Sequence, residues 1–370
     1  MISSFYISYT TILQIAILFL ILNLIFLFLK YKYKDKVNYN VIYGMLRTEK
    51  YINIMERLSK TYYSKFLSIS SLILSPILIG IAIYFLVYGI IKKTPSFAPL
   101  IPGASIGPVT IPILESIIAI FIAALIHEMA HGVLVYKNGL SLKSWGFFYI
   151  GPLLGAFVEP KEEEIIKLNK KNQIEIFGAG SSINFIVGLI FFGLLFFYNS
   201  LLSILNLEPK TYVKIVETIN GTYAHNVVPV NVILYSIENY PVESINDIPK
   251  ILSNFKPGDN ITLYTSQGNY TITLSENNGK PFMGIKLKQE YEYKNDIIPF
   301  IQSLLVWLFI INIGLGIGNM LPIYPLDGGR TIKAIVEMFI RDDKKIKQYV
   351  TIISIITLIL LLANLSFNFI

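Results

Sequence analysis

The 370-residue chain contains no cysteine, which excludes a disulfide framework, a thiolate metal site and a cysteine nucleophile. Catalytic chemistry must therefore come from histidine, carboxylates, hydroxyls or a cofactor, and histidine itself is scarce, with 3 residues in all. Charge is thin as well, at 15% of residues against 54% hydrophobic, and the mean hydropathy is +0.58. That balance excludes a water-soluble globule and places the chain among membrane proteins. The formal net charge of +7 does not describe a nucleic-acid surface. Lys and Arg gather in short segments beside apolar runs, where they set topology, so no nucleic-acid partner is expected.

What stands in place of charge is long apolar runs. A bilayer core takes roughly 20 consecutive apolar residues as helix, and six runs qualify: about 9–29, 66–91, 111–136, 174–198, 297–321 and 349–370. The first is read as a retained helix, since no basic leader precedes it and no small-residue cleavage pattern follows. Between the first two runs, Lys30, Lys32, Lys34, Lys36, Arg47, Lys50, Arg57, Lys60 and Lys65 oppose only Asp35, Glu49 and Glu56. The positive-inside rule puts this segment in the cytoplasm. Alternation then brings Arg330, Lys333, Arg341, Lys344, Lys345 and Lys347 to the same side, so two basic clusters agree on one topology.

Residues 205–296 fall outside on that topology, and their texture changes to short β-branched runs broken by Gly, Pro and Asn. Strands are predicted over 232–237, 261–265 and 270–274, a helix over 244–255, and turns at Pro257-Gly258-Asp259 and Gln267-Gly268. The sequons beginning at Asn220, Asn260 and Asn269 fit an exterior position.

The third run carries His127-Glu128-Met129-Ala130-His131 near its end. An α-helix sets residues i and i+4 on one face, about 6 Å apart along its axis, so the two imidazoles can close on one divalent cation. Glu128 points to the flank of that face, within reach of a water at the metal without being a ligand. Each ionisable side chain at the centre of a membrane helix costs about 2.5 to 3.5 kcal/mol, and a bound cation neutralises such a cluster. The plainer reading is a polar group that joins helices by hydrogen bonds, and a third ligand decides between the two. His225 lies in the exterior segment, which leaves a carboxylate. The best placed is Asp327 in NMLPIYPLDGGR (319–330), at the inner end of the fifth run, level with the cytoplasmic end of the third. Pro322 and Pro325 break the helix there, which at membrane depth is tolerated where backbone lines a cavity or packs on protein. Glu115, near the outer boundary, receives no role.

Together these elements resemble the site-2 protease family of intramembrane zinc metalloproteases. The motifs that carry the resemblance are HEMAH at 127–131, NMLPIYPLDGG at 319–329, and Gly178-Ala179-Gly180-Ser181-Ser182-Ile183-Asn184-Phe185, similar to the family's small-residue segment ending in Asn-Phe. It implies one Zn²⁺ per chain held by His127, His131 and Asp327, Glu128 as general base and acid, and Asn319 as a polar residue near the catalytic cleft; Asn184 is carried over with it. GPLLGAFVEP (151–160), too short and rich in Gly and Pro for a span, resembles the family's membrane-dipping β segment, where an extended substrate backbone can pair. The exterior segment resembles a PDZ domain, most clearly over 233–242 and 256–259, with a departure at 221–230, which lacks a Gly-rich carboxylate-binding loop. Apart from any family, the small residues 178–182 predict close approach of the fourth helix to the metal-bearing one.

The expectation is thus a membrane protein: a multi-span α-helical bundle of about six transmembrane helices with a membrane-dipping β segment and an inserted small α/β PDZ-like domain. Its parts are an N-terminal helix pair with basic cytoplasmic loop (1–92), the first part of the catalytic membrane core (93–204), the extracytoplasmic PDZ-like domain (205–296), the second part of the core (297–345) and a C-terminal helix (346–370). The expected activity is zinc-dependent hydrolysis of a peptide bond in or near a transmembrane helix of a protein substrate, as in regulated intramembrane proteolysis, in the cell membrane near its cytoplasmic leaflet. Expected partners are the substrate, membrane lipid, and a peptide or substrate contact through the PDZ-like domain. The competing readings are a transporter or ion pathway, a membrane-anchored HExxH protease with a soluble catalytic domain, and an inactive PDZ-bearing scaffold.

Overall fold

The structure, a computed structural model, describes residues 5–6, 9–106 and 109–368. Its helices are α1 (Tyr9–Lys32), α2 (Ile52–Ser59), α3 (Tyr62–Lys92), α4 (Ile113–Lys137), α5 (Glu162–Lys167), α6 (Lys170–Ile204), α7 (Asp247–Leu252), α8 (Ile297–Gly318), α9 (Asp327–Phe339) and α10 (Asp343–Ser366). Six of these, α1, α3, α4, α6, α8 and α10, are long and apolar enough to cross a membrane. The chain is a multi-span helical membrane protein with added β structure, as its composition requires.

Several helix ends differ from the hydropathy reading, with α3 starting at Tyr62 and α6 running Lys170–Ile204, and two of the differences have a local cause. The fifth span stops at Gly318, because the two prolines that follow end the helix early and leave 319–326 as a loop. The sixth begins at Asp343, ahead of its apolar run. There the Asp342 carboxylate accepts from the backbone N–H of Lys344 and Lys345 at 2.9 and 3.2 Å, an N-cap that starts a helix in polar sequence.

The chain divides into two compact units, 1–197 with 300–370, and 198–299. In the larger unit, buried serines recur along α3 at Ser64, Ser68, Ser71 and Ser75, on one helical face. Ser71 Oγ donates to the Glu175 carbonyl at 2.7 Å, and Ser68 Oγ accepts from Lys137 Nζ at 2.7 Å. Small residues there let α3, α4 and α6 approach closely, the packing that lipid-embedded helices rely on in place of a hydrophobic drive. Lys137 also pairs with the buried Glu175 carboxylate at 2.8 Å.

The larger unit also holds a four-stranded antiparallel sheet, β1 (Val37–Tyr39), β2 (Tyr43–Thr48), β3 (Leu142–Ile150) and β4 (Leu153–Pro160), in that order. Residues 151–160 thus form the second arm of a hairpin, with Gly151 at φ 57° in its turn. The partners on the far side come from the N-terminal segment, with Tyr43 opposite Ile150 and Thr48 opposite Trp145. Helix α1 is tied to this sheet by a polar residue within its apolar run. Asn23 Oδ1 accepts from the hydroxyls of Tyr39 and Tyr149, both at 3.1 Å, while its Nδ2 donates to the Phe19 carbonyl at 2.9 Å. Residues 1–92 therefore belong to the same compact unit as the HEMAH helix.

The smaller unit is built on β5 (Lys210–Thr218), β6 (Val232–Ile237), β7 (Asn260–Thr265), β8 (Gly268–Thr273) and β9 (Ile285–Glu292), ordered β8-β7-β6-β5-β9, with Tyr240–Pro241 pairing off β6. Alternate residues such as Ile261 and Leu263 point inward and meet Val213, Leu234 and, from α7, Ile248 and Ile251. The helix expected over 244–255 is confined to six residues. The Asp247 carboxylate accepts from the Ser244 N–H at 2.8 Å, the reach-back bond of a capping box, and the flanking residues 244–248 and 251–255 close by i→i+3 bonds in place of helical ones.

Candidate metal centre

His127 and His131 lie one turn apart on α4, with ring centroids 4.8 Å apart and Nε2 atoms 3.1 Å apart. Asp327 is the first residue of α9, delivered by the proline loop. Its Oδ2 lies 3.1 Å from His127 Nε2 and 3.3 Å from His131 Nε2. The loop closes through Gly328 N–H, which donates to the Asn319 carbonyl at 2.8 Å. A Cβ at Gly328 would overlap the Met320 and Leu321 carbonyls, so a side chain there would push Asp327 off its place.

The donor set fits a zinc ion. Bonds of roughly 2.0–2.1 Å at tetrahedral angles put neighbouring ligand atoms about 3.3 Å apart, the spacing these three atoms already have. Among the described residues, His127, His131 and Asp327 form the group of potential ligands whose donor atoms converge, all within 4.8 Å of one another. His131 Nδ1 lies 2.7 Å from the Ile176 carbonyl. A carbonyl only accepts, so Nδ1 carries the hydrogen and Nε2 offers a lone pair to the centre. Burial pushes the Asp327 carboxyl up, but the imidazoles beside it outweigh burial and hold it well below the usual carboxylate range. It is anionic, as a ligand must be.

Glu128 sits beside this group. Its Oε2 accepts from the Val158 backbone N–H at 2.9 Å, which ties it to the strand β4. It shares an open cavity of about 330 Å³ with His127, His131, Asp327, Asn319, Phe157 and Arg330. Asn319 Nδ2 is 3.4 Å from His127 Nε2, Ser181 Oγ is 3.5 Å from Asp327 Oδ2, and Asn184 Nδ2 is 3.4 Å from His127 Nδ1. The structure thus brings together every residue singled out for chemistry. His225 belongs to the smaller unit, where its Nδ1 lies 3.4 Å from Thr218 Oγ1.

Two parts of the centre have no residue signature that sequence reasoning could use. The Ile176 carbonyl and Val158 N–H are main-chain groups, and side-chain chemistry says nothing of them. Gly180 was legible only as one of several small residues. In the structure a Cβ on it would come within 2.5–2.6 Å of the His127 ring, so it is the point where α6 packs on His127. Arg330, which pairs with Glu162 at 2.8 Å and lies over the Phe177 ring, adds charge to the cavity wall.

A sequence profile of peptidase family M50 matches residues 115–362, from the first turn of α4 into α10 and across both HEMAH and Asp327. A protein of Methanocaldococcus jannaschii described as uncharacterized is 28% identical over 317 residues, which cover 82% of this chain and 81% of that one. With most of its length matched, the chain belongs to peptidase family M50, the site-2 protease family of zinc-dependent membrane metalloproteases.

Proposed function

We propose that the protein is an intramembrane zinc endopeptidase that cuts a membrane-spanning helix of a protein substrate near the cytoplasmic leaflet. The observation that carries this reading is the convergence of His127 Nε2, His131 Nε2 and Asp327 Oδ2 to within 3.3 Å of one another or less, with a carboxylate beside them that is not a ligand. Zinc at that position would polarise a peptide carbonyl and make water nucleophilic at neutral pH.

The chain's own groups supply the rest. Glu128 is anchored through Oε2 by Val158, which leaves Oε1 free to take a proton from the attacking water and hand it to the leaving amine. Asn319 presents its amide at the cavity wall, in position to donate to a substrate carbonyl. A peptide bond inside an α-helix has its carbonyl committed to the backbone ladder, so the substrate must unwind locally. Strand β4 borders the cavity through Phe157, Val158 and Pro160, and an extended substrate segment paired there would hold that unwound state. Substrates with Gly, Pro or Asn near the cut are favoured on this account.

The two basic clusters support a topology with the active site toward the cytoplasm and residues 205–296 outside. On that topology the smaller unit is a PDZ-like domain that screens or contacts the substrate before cleavage. Release of a membrane-tethered factor by regulated proteolysis is the biological role this reading supports.

The test is cleavage of a transmembrane substrate by the purified chain in detergent. Chelator-sensitive cleavage that falls by about 10²- to 10⁴-fold in Glu128→Gln is expected. Cleavage that survives Glu128→Gln undiminished would overturn the mechanism.

A further inference from the structure

The two histidines of the centre are not held alike. His131 Nδ1 faces the Ile176 carbonyl, an acceptor by its nature. His127 Nδ1 faces Asn184, a residue of α6 that is fully buried and whose Nδ2 stands 3.4 Å away. The other end of that amide, Oδ1, is buried with no hydrogen-bond partner among the described residues. A polar oxygen left unpaired deep in a helix bundle calls for an occupant.

The chemistry of the ring says which. For His127 to offer the Nε2 lone pair to a metal, its one hydrogen must sit on Nδ1, and that hydrogen needs an acceptor. An amide that presents Nδ2 to Nδ1 cannot serve, because donor would face donor; that arrangement suits the tautomer with the hydrogen on Nε2, which cannot ligate. A half-turn about the last side-chain torsion exchanges the ends of the amide and brings the orphan Oδ1 to the ring. Gly180, one turn back on α6, lies against the same imidazole, so the ring is flanked by a residue that makes room for it and a residue that can orient it.

We infer that Asn184 is a positioning residue for His127: its Oδ1 accepts the Nδ1 hydrogen and so fixes the tautomer and the ring plane that direct Nε2 toward Asp327 and His131. The inference rests on the metal reading above and adds to it a residue that touches neither metal nor substrate. Loss of such a support costs a metal site about 10- to 100-fold in affinity.

The experiment measures zinc affinity of the purified full chain by competition with a chromogenic chelator, for the wild type, Asn184→Leu and Asn184→Asp, with Co²⁺ absorption spectra as a second readout. Leucine has similar bulk and no acceptor, whereas aspartate keeps an acceptor whichever way it turns. The expected result is zinc binding weakened about 10- to 100-fold in Asn184→Leu with an altered Co²⁺ spectrum, and affinity in Asn184→Asp equal to or tighter than wild type. Undiminished affinity in Asn184→Leu would overturn the inference. So would Asn184→Asp that loses zinc as badly as Asn184→Leu, since the residue would then act through packing. Should the wild type itself bind no zinc, the metal reading fails and this inference with it, an outcome distinct from the other two.

Discussion

The backbone N–H of Val158 donates to Glu128 Oε2 at 2.9 Å, so the Glu128 carboxylate is held by a strand edge and not by its own helix. Val158 stands opposite Trp145, and Trp145 in turn stands opposite Thr48. In an antiparallel sheet a residue exchanges hydrogen bonds with one neighbour only, and the N–H of Val158 points away from β3, toward α4. Val158→Pro therefore removes one donor without breaking a ladder bond, on an edge strand where proline is tolerated. The expected outcome is retained fold and zinc content with single-turnover cleavage slowed by at least about tenfold, part of the general acid–base contribution. Val158→Ala should leave the rate within about twofold, since the donor remains.

Gly180 and Gly193 lie on the same helix in opposite situations. A methyl on Gly180 would press on the buried His127 ring at 2.5–2.6 Å, whereas one on Gly193 meets nothing within 4 Å. Gly180→Ala should therefore lower zinc content after purification, because the ring must shift off its convergence with Asp327. Gly193→Ala should keep the metal and raise thermal stability slightly, by up to about 1 kcal/mol of helix propensity. Metal analysis and thermal unfolding in detergent check both.

The Lys137–Glu175 pair joins α4 to α6 with the carboxylate side chain only 6% exposed. Lys137→Met leaves that charge buried without its partner, and destabilisation of about 3 kcal/mol is expected, the lower end for a broken buried pair, because Lys137 keeps some contact with solvent. The double change Lys137→Met with Glu175→Met removes the stranded charge and should recover most of the loss. Thermal unfolding of the two variants decides it; equal destabilisation by both would show that the charges do not act as a pair.

Much of the centre was legible because metal chemistry has few solutions. Spacing put His127 and His131 on one helical face, and a chain without cysteine, whose only other histidine lies in another segment, left a carboxylate at the matching depth. Of the β-sheet only the arm at 151–160 was legible, through the resemblance; the N-terminal strands were not. Its strand Tyr43-Gly44-Met45-Leu46-Arg47-Thr48 has no clean alternation, and it pairs with residues about a hundred positions away, so neither periodicity nor a turn signal announces it. Asn23 carries no signal of its own inside the apolar run 9–29, although it hydrogen-bonds α1 to the sheet. Such pairings are decided by tertiary packing, which local sequence does not encode.

X-ray absorption at the zinc edge on the purified chain tests the central claim most directly. The account predicts about one zinc per chain with two imidazole nitrogens and at least one oxygen at roughly 2.0–2.1 Å, lost in His127→Ala and reduced in Asp327→Ala. A chain that binds no zinc after metal reconstitution, or a zinc shell without imidazole that is unchanged in His127→Ala, would contradict it.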